Sequence, residues 1–282
     1  MAGNEFYNLK PTIWNNRLIS ALKRVLIFAN LCNQDYTGEV TAGGTVKINQ
    51  VGEVDVGDYT AYSDMTFQTL DDASLTMKID QQKYFAFQLD QTDTVFIAPN
   101  VMGAGVDRGM YRLRNGIDQF IAGKYTEAGV TYGSATAPKN ASSGTIVQYL
   151  AEFRETILEA DIPAEGLWAT VPPWIFTKLF LAGVADKTPN ADVFANGWIG
   201  GIAGFSRLYM SNNVAMSNTT TTTVLASAGN EAMAYAAAIS GDIRILPAPA
   251  RRATNVDGLW VYGGKVVRPD RLGCLYISEV AN

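Results

Sequence analysis

Few residues here are able to do chemistry, and their types and spacing withhold most reactions. Histidine is absent from all 282 positions. No Ser-His-Asp or Cys-His nucleophilic system and no His-ligated zinc or haem can therefore be built. The two cysteines, Cys32 and Cys274, lack any Cys-x-x-Cys partner, which excludes a four-cysteine metal site. Two buried free thiols in a reducing cytoplasm are expected rather than a disulfide. GLWVYGGKV (258–266) is no phosphate loop, since its glycine spacing is one residue too long and no Ser or Thr follows Lys265. GAGVDRG (103–109) lacks the third glycine of a dinucleotide fingerprint. Asn140-Ala141-Ser142 and Asn218-Thr219-Thr220 fit the glycosylation pattern. That pattern needs a secretory signal, and Lys10, Arg17, Lys23 and Arg24 interrupt the first thirty residues where one would lie. Asp71-Asp72 could in principle bind a cation, and adjacent acids in a polar stretch read as solvated. The expected inventory of catalytic, cofactor and metal residues is empty.

A chain without a reaction has to be explained by what it binds. Charged residues make up 17% of it, against about 25% in an ordinary soluble domain, while 48% are hydrophobic. Neutral polar residues fill the gap: 26 Gly, 24 Thr and 18 Asn. A surface so short of charge is expected to be largely covered by partners. The net charge of −5 argues against a basic nucleic-acid coat. No apolar run approaches the ~18 residues of a membrane span, so a soluble chain made in the cytoplasm is expected.

The elements that must carry such binding read as α+β. In the N-terminal segment Pro11 and Thr12 can open a helix, and Trp14, Leu18, Leu22, Val25 and Ala29 fall on one apolar stripe. Lys10, Arg17, Lys23 and Arg24 against Glu5 make residues 1–34 net +3, which reads either as an ordinary amphipathic helix on its own domain or as an arm that clasps a neighbour. Residues 36–48 are expected to form a hairpin turning at Gly43-Gly44. Apolar patterning is then lost over 49–73 and returns in alternation from Leu75, which describes a long two-stranded loop. Residues 35–93 hold 11 acids and 3 bases, a net −8. A long helix is expected over 103–128 with Val106, Met110, Leu113, Ile117, Phe120 or Ile121, and Tyr125 on its apolar face. Gly109, Gly116 and Gly123 lie seven apart on that helix, as if a ring or backbone packed along them. A second helix spans 145–160, with Val147, Leu150, Ala151, Arg154, Ile157 and Leu158 on one side. A strand at 168–171 runs into Pro172-Pro173, which opens a short helix to Leu181. Thr219 to Thr223 reads as an exposed loop, residues 230–239 as helix, and 258–278 as strands around Gly263-Gly264 and Pro269.

The order of these pieces resembles the major capsid (coat) protein of tailed bacteriophages, with the Hong Kong 97-like fold. FYNLKPTIWNNRLISAL and ANLCNQDY (6–36) are similar to the arm of the P22-like coat branch. GTVKINQVGEVDVGDY with LTMKIDQQKYFAFQLDQTD (44–93) is similar to that family's extended loop. LWATVPPWIFTKLF (167–180), IAGFSRLYMSNNV (202–214) and GLWVYGGKVVRP (258–269) resemble its later domain and closing strands. The resemblance implies an N-terminal arm over 1–34, an extended loop with flanking strands over 35–95, and a peripheral domain with a spine helix over 96–164. An axial domain over 165–250 and C-terminal strands over 251–282, returning to the peripheral domain, complete it.

The implied function is a structural shell protein with no catalysis and no cofactor, assembling into an icosahedral capsid around double-stranded DNA. Implied partners are further copies in pentamers and hexamers, a scaffolding protein, a portal protein, non-specifically packaged DNA and a decoration protein, with no membrane. The implied location is the virion, assembled in the host cytoplasm. Some members carry a scaffolding segment ahead of the arm, whereas here the arm starts near residue 6; a separate scaffold, or a processed chain, would follow. Covalent cross-linking through a loop-tip lysine is not expected, because no lysine lies between Lys47 and Lys78. The candidate inter-subunit contacts are Trp14, Arg17, Leu18, Leu22, Lys23 and Arg24 of the arm, facing Asp55, Asp58, Asp71 and Asp72 of the loop. The alternatives are another cage or virion component, encapsulin-like or from a tail, and a soluble carbohydrate- or ligand-binding protein.

Overall fold

The computed structural model describes residues 26–38, 44–51, 56–59, 61–62, 64, 67, 72–91, 101–183, 202–249 and 251–280. Three sheets carry the fold. A two-stranded ribbon pairs β1 (Thr45–Val51) with β2 (Asp72–Lys78), antiparallel from Thr45↔Lys78 to Val51↔Asp72. A three-stranded sheet has the order β3-β10-β9, from β3 (Gln81–Asp90), β9 (Met233–Pro247) and β10 (Ala253–Val266). The third sheet runs β4-β11-β8-β6-β7 and is built from β4 (Val130–Tyr132), β6 (Leu167–Val171), β7 (Arg207–Met210), β8 (Thr221–Ala228) and β11 (Leu272–Glu279). A short β5 (Lys139–Ala141) pairs with β11 beyond β4.

Helix α1 (Val101–Ala122) lies on the three-stranded sheet and continues as a 3₁₀ turn to Glu127. Its buried row, Leu113, Ile117 and Ile121, follows the expected apolar face. That row joins Phe28, Cys32, Tyr235, Trp260 and Tyr262 in one core. The second core gathers α2 (Ile146–Glu159) and α3 (Pro173–Leu181) against the six-stranded sheet. Here the buried row of α2 is Ile146, Leu150, Phe153 and Ile157, spaced four, three and four. Ala151, expected on that row, is exposed, and Phe153 takes the inner position. Pro172 and Pro173 open α3 as read, since a proline at the first turn gives up no needed N–H.

Several expectations are corrected. Residues 35–38 form a 3₁₀ turn and β1 pairs with β2, so among the described residues the strand at 45–48 has β2 as its partner rather than 36–42; Gly43 lies outside the described residues. Gly44, at φ +64°, instead turns the chain into β1. Thr221, Thr222 and Thr223 are buried within β8; the exposed turn ends at Thr220, where Asn218 Oδ1 accepts the N–H groups of Thr220 and Thr221 at 2.9 and 2.7 Å. β-Branched threonines suit a strand, and Thr223 Oγ1 donates to the Ala215 carbonyl at 2.7 Å. Residues 233–239 belong to β9 rather than to a helix. Alanine's helix preference is worth under about 1 kcal/mol per residue, and pairing with β10 together with burial of Ala234 and Ala236 beneath the ribbon outweighs it. Gly263 and Gly264 lie inside β10, where a Cβ on Gly263 would strike the Lys78 carbonyl.

The glycine stripe is also reassigned. Gly116 and Gly123 face open space, with nothing within 4 Å of a Cβ. The working positions are Gly105 and Gly109, whose Cβ atoms would come within 2.8 Å of Phe87 and 2.6 Å of Phe85. Phe85 and Phe87 stack at 6.3 Å along β3, so the helix backbone rests directly on two rings. Residues 26–33, counted with the arm from sequence, are part of the core: Phe28 and Ala29 are fully buried, and Asn33 bridges to β9 beside Ala234. Helix α2 shares a core with β6, β7 and β8, and β11 joins the same sheet.

Candidate assembly surfaces

Among the described residues no group of three or more His, Cys, Asp or Glu side chains could hold a metal ion. Both cysteines are buried free thiols. Burial, followed by the nearby Asp118 charge, pushes the Cys32 thiol far above its ordinary value; burial raises Cys274 to about 12. Neither is a thiolate at neutral pH, so neither is a nucleophile. Among the described residues no helix is long and apolar enough to cross a membrane.

What the molecule does present is apolar surface in contact with water. Val56, Tyr59, Tyr62 and Phe67, between β1 and β2, are 98%, 65%, 104% and 92% exposed. Four large side chains held out so far describe a segment meant to be covered by something else. A second patch lies on the outer half of β9, where Ile243 and Ile245 are exposed on one face and Leu246 on the other. Ile243 and Ile245 stand opposite Gly258 and Val256 of β10, hence on the face that α1 covers further along. Phe180 and Leu181 form a third patch at the end of α3.

The sequence-derived contact residues fall unevenly on this frame. Trp14, Arg17, Leu18, Leu22, Lys23, Arg24, Asp55 and Asp71 lie outside the described residues. Asp58 is exposed beside Tyr59, and Asp72 opens β2 opposite Val51. The β9 patch was missed because residues 230–239 read as helix. Its signal was the alternation of Ile243, Arg244 and Ile245 immediately after.

Polar anchors hold the surfaces in place. Arg244 pairs with Asp257 at 3.0 Å across β9 and β10. Glu231 receives Arg271 at 2.6 Å and Arg268 at 3.3 Å. Lys178 of α3, 4% exposed, donates to the Val280 carbonyl at 2.7 Å and so ties down the end of β11. Tyr132 donates its hydroxyl to Glu152 of α2 under the Lys139 ammonium, which sits 4.5 Å from the Tyr132 ring. Where the ribbon meets the end of α1 there is a half-open cleft of about 240 Å³, lined by Lys78, Asp80, Phe120, Lys124, Glu127 and Lys265 among others.

No protein-family model and no curated sequence matches the chain. Solved structures do match, along nearly its whole length. A structure from Mycobacterium phage Che8 superposes with a TM-score of 0.75 at 26% identity, covering 96% of this chain and 98% of that one. The capsid of cyanophage P-SCSP1u gives 0.74 at 16% identity, over 95% and 92%. The capsid of Ralstonia phage GP4 gives 0.67 at 15% identity, over 96% of each chain.

Proposed function

We propose that this chain, whose fold is that of phage capsid subunits, is a major capsid protein that builds an icosahedral shell and resides in the virion. The observation that carries the reading is end-to-end coverage: the likeness takes in 96% of this chain and 98% of the Che8 chain, with almost no part of either left over. The chemistry agrees with it. A subunit that only assembles needs no activated nucleophile, and it needs surface that is unfavourable while alone.

The shell would enclose double-stranded DNA without reading its sequence, since a chain of net charge −5 offers no general phosphate-neutralising surface. Pentamers and hexamers of the chain, a scaffolding protein, a portal and a decoration protein are the partners this role calls for. The basic residues Arg17, Lys23 and Arg24 and the apolar Trp14, Leu18 and Leu22 would clasp a neighbour. Asp55, Asp58, Asp71 and Asp72 would contribute the acidic side of subunit contacts. Individually weak contacts repeated around a closed shell give stability while leaving each step reversible enough to correct errors.

Electron microscopy of the purified full chain, alone and co-expressed with a candidate scaffolding protein, tests the reading. Closed shells of uniform diameter are expected. A chain that stays monomeric under both conditions, at concentrations well above those used for other coat subunits, would overturn it.

A further inference from the structure

The cleft between the ribbon and the end of α1 has a character that shell formation in general does not explain. Three lysines converge on it from three elements: Lys78 from β2, Lys124 from the turn after α1, and Lys265 from β10. Two carboxylates share the lining. Glu127 is taken up by Lys124 at 2.8 Å, and Asp80 accepts the Gln81 side-chain amide at 2.9 Å. Lys265 donates to the Thr76 carbonyl at 3.2 Å, which uses one of its three ammonium donors. The cleft therefore has one net positive charge and ammonium donors to spare. Phe120 forms an apolar wall, with the Lys124 ammonium 5.4 Å from its ring.

The complementary partner is in the same sequence. Between Lys47 and Lys78 there is no basic residue, while Glu53, Asp55, Asp58, Asp64, Asp71 and Asp72 are all acidic. Asp58 and Asp64 are exposed and flank the exposed Tyr59 and Tyr62. This combination of carboxylates with adjoining rings fits a lysine cleft with an aromatic wall. The subunit's own loop is not seated in its own cleft: among the described residues the lining holds none from between β1 and β2, and Asp58, Tyr59, Tyr62 and Asp64 all stay exposed. The ribbon ladder starts at Thr45↔Lys78, beside the cleft, and ends at Val51↔Asp72. Six steps of about 3.3 Å put the start of the loop about 20 Å away from its own cleft.

We propose that the Lys78–Lys124–Lys265 cleft is the receptor for the acidic, aromatic loop around Asp58–Asp64 of a second copy of this chain. Asp58 or Asp64 enters between Lys78 and Lys265, and Tyr59 or Tyr62 packs against Phe120. The proposal rests on the coat-protein reading and assigns the acidic loop a partner other than the basic N-terminal residues.

Charge exchange on the full chain tests it, read as the subunit concentration needed for shell formation by light scattering and microscopy. Lys78→Glu with Lys265→Glu should raise that concentration about tenfold, as should Asp58→Lys with Asp64→Lys. All four changes in one chain should bring it back to within about threefold of the parent, through a coupling that neither pair shows alone. Independently, a chain carrying Asp58→Cys and Lys78→Cys should form disulfide-linked ladders in assembled shells under mild oxidation, and neither single variant should. Parent shells that form normally beside an unaffected lysine variant overturn the proposal and leave the coat reading standing. Rescue of the loop variant by Arg17→Glu, Lys23→Glu and Arg24→Glu, but not by the lysine changes, overturns it in favour of the basic segment. A parent chain that never closes shells removes the coat reading itself.

Discussion

Two glycines on the same helix should respond in opposite ways to the same substitution. Gly109 and Gly116 both lie inside α1, two turns apart, and each Gly→Ala change relieves about 1 kcal/mol of helix penalty. At Gly116 a Cβ meets nothing within 4 Å, so that relief should appear in full as added stability. At Gly109 the new Cβ would sit 2.6 Å from Phe85 Cγ, the root of the ring rather than its far edge. The ring cannot swing away, because its other side is against Gly258 of β10 and Phe87 stacks beside it. Helix and sheet must then separate, an overpacking cost of about 1–3 kcal/mol that cancels or reverses the gain. The two variants should thus differ by about 1–3 kcal/mol. Urea unfolding of dilute, unassembled subunit, followed by tryptophan fluorescence, measures the difference in midpoints. Phe85→Leu, with less bulk at the seam, should reduce the Gly109→Ala penalty by a non-additive amount. Equal shifts for the two glycine variants would refute the argument that α1 rests on the Phe85 and Phe87 rings.

Other outcomes follow from particular contacts. Lys178→Met should cost about 1–3 kcal/mol by leaving the Val280 carbonyl without its buried donor, and amide exchange should rise first along the end of β11. The Tyr132 hydroxyl, then the Gln148 amide, hold the Glu152 carboxyl below its ordinary value. A lowered carboxyl contributes stability above its unfolded value near 4.5 and loses it as pH falls through the folded one. Tyr132→Phe should therefore move the Glu152 titration upward, as seen by carboxyl NMR. Deleting residues 1–25 should leave a folded subunit that fails to close shells; extending the cut through Phe28 should unfold the α1 core, since Phe28 is fully buried there. Thiol reagents should label Cys32 and Cys274 only upon unfolding, given that both are buried and protonated.

The sequence by itself settled whatever depends on residue type or on unbroken periodicity. The absence of histidine removed whole classes of chemistry without reference to any fold. The 3.6-residue pattern of Leu113, Ile117 and Ile121 located the buried face of α1, because a helix keeps one face inward whatever it packs on. Pro172-Pro173 marked the start of α3 for an equally local reason. Loss of apolar alternation after residue 48 and its return at Leu75 marked the β1–β2 ribbon, since only a segment without a core of its own can be so polar between two strands.

Tertiary structure decided the rest, wherever a partner distant in sequence outweighed a weak local preference. Residues 233–239 are strand because β10 pairs along them and the ribbon covers Ala234 and Ala236, a gain no window around Met233 contains. Thr221 to Thr223 are interior because β8 lies between β6 and β11, and composition alone cannot distinguish buried from exposed threonine. The spacing of Gly109, Gly116 and Gly123 suggested a seam; the seam runs through Gly105 and Gly109, because Phe87 and Phe85 of β3 meet the helix there. The lysine cleft was invisible for the same reason. Lys78, Lys124 and Lys265 stand far apart in the chain, and only the meeting of ribbon, helix end and β10 brings their charges together.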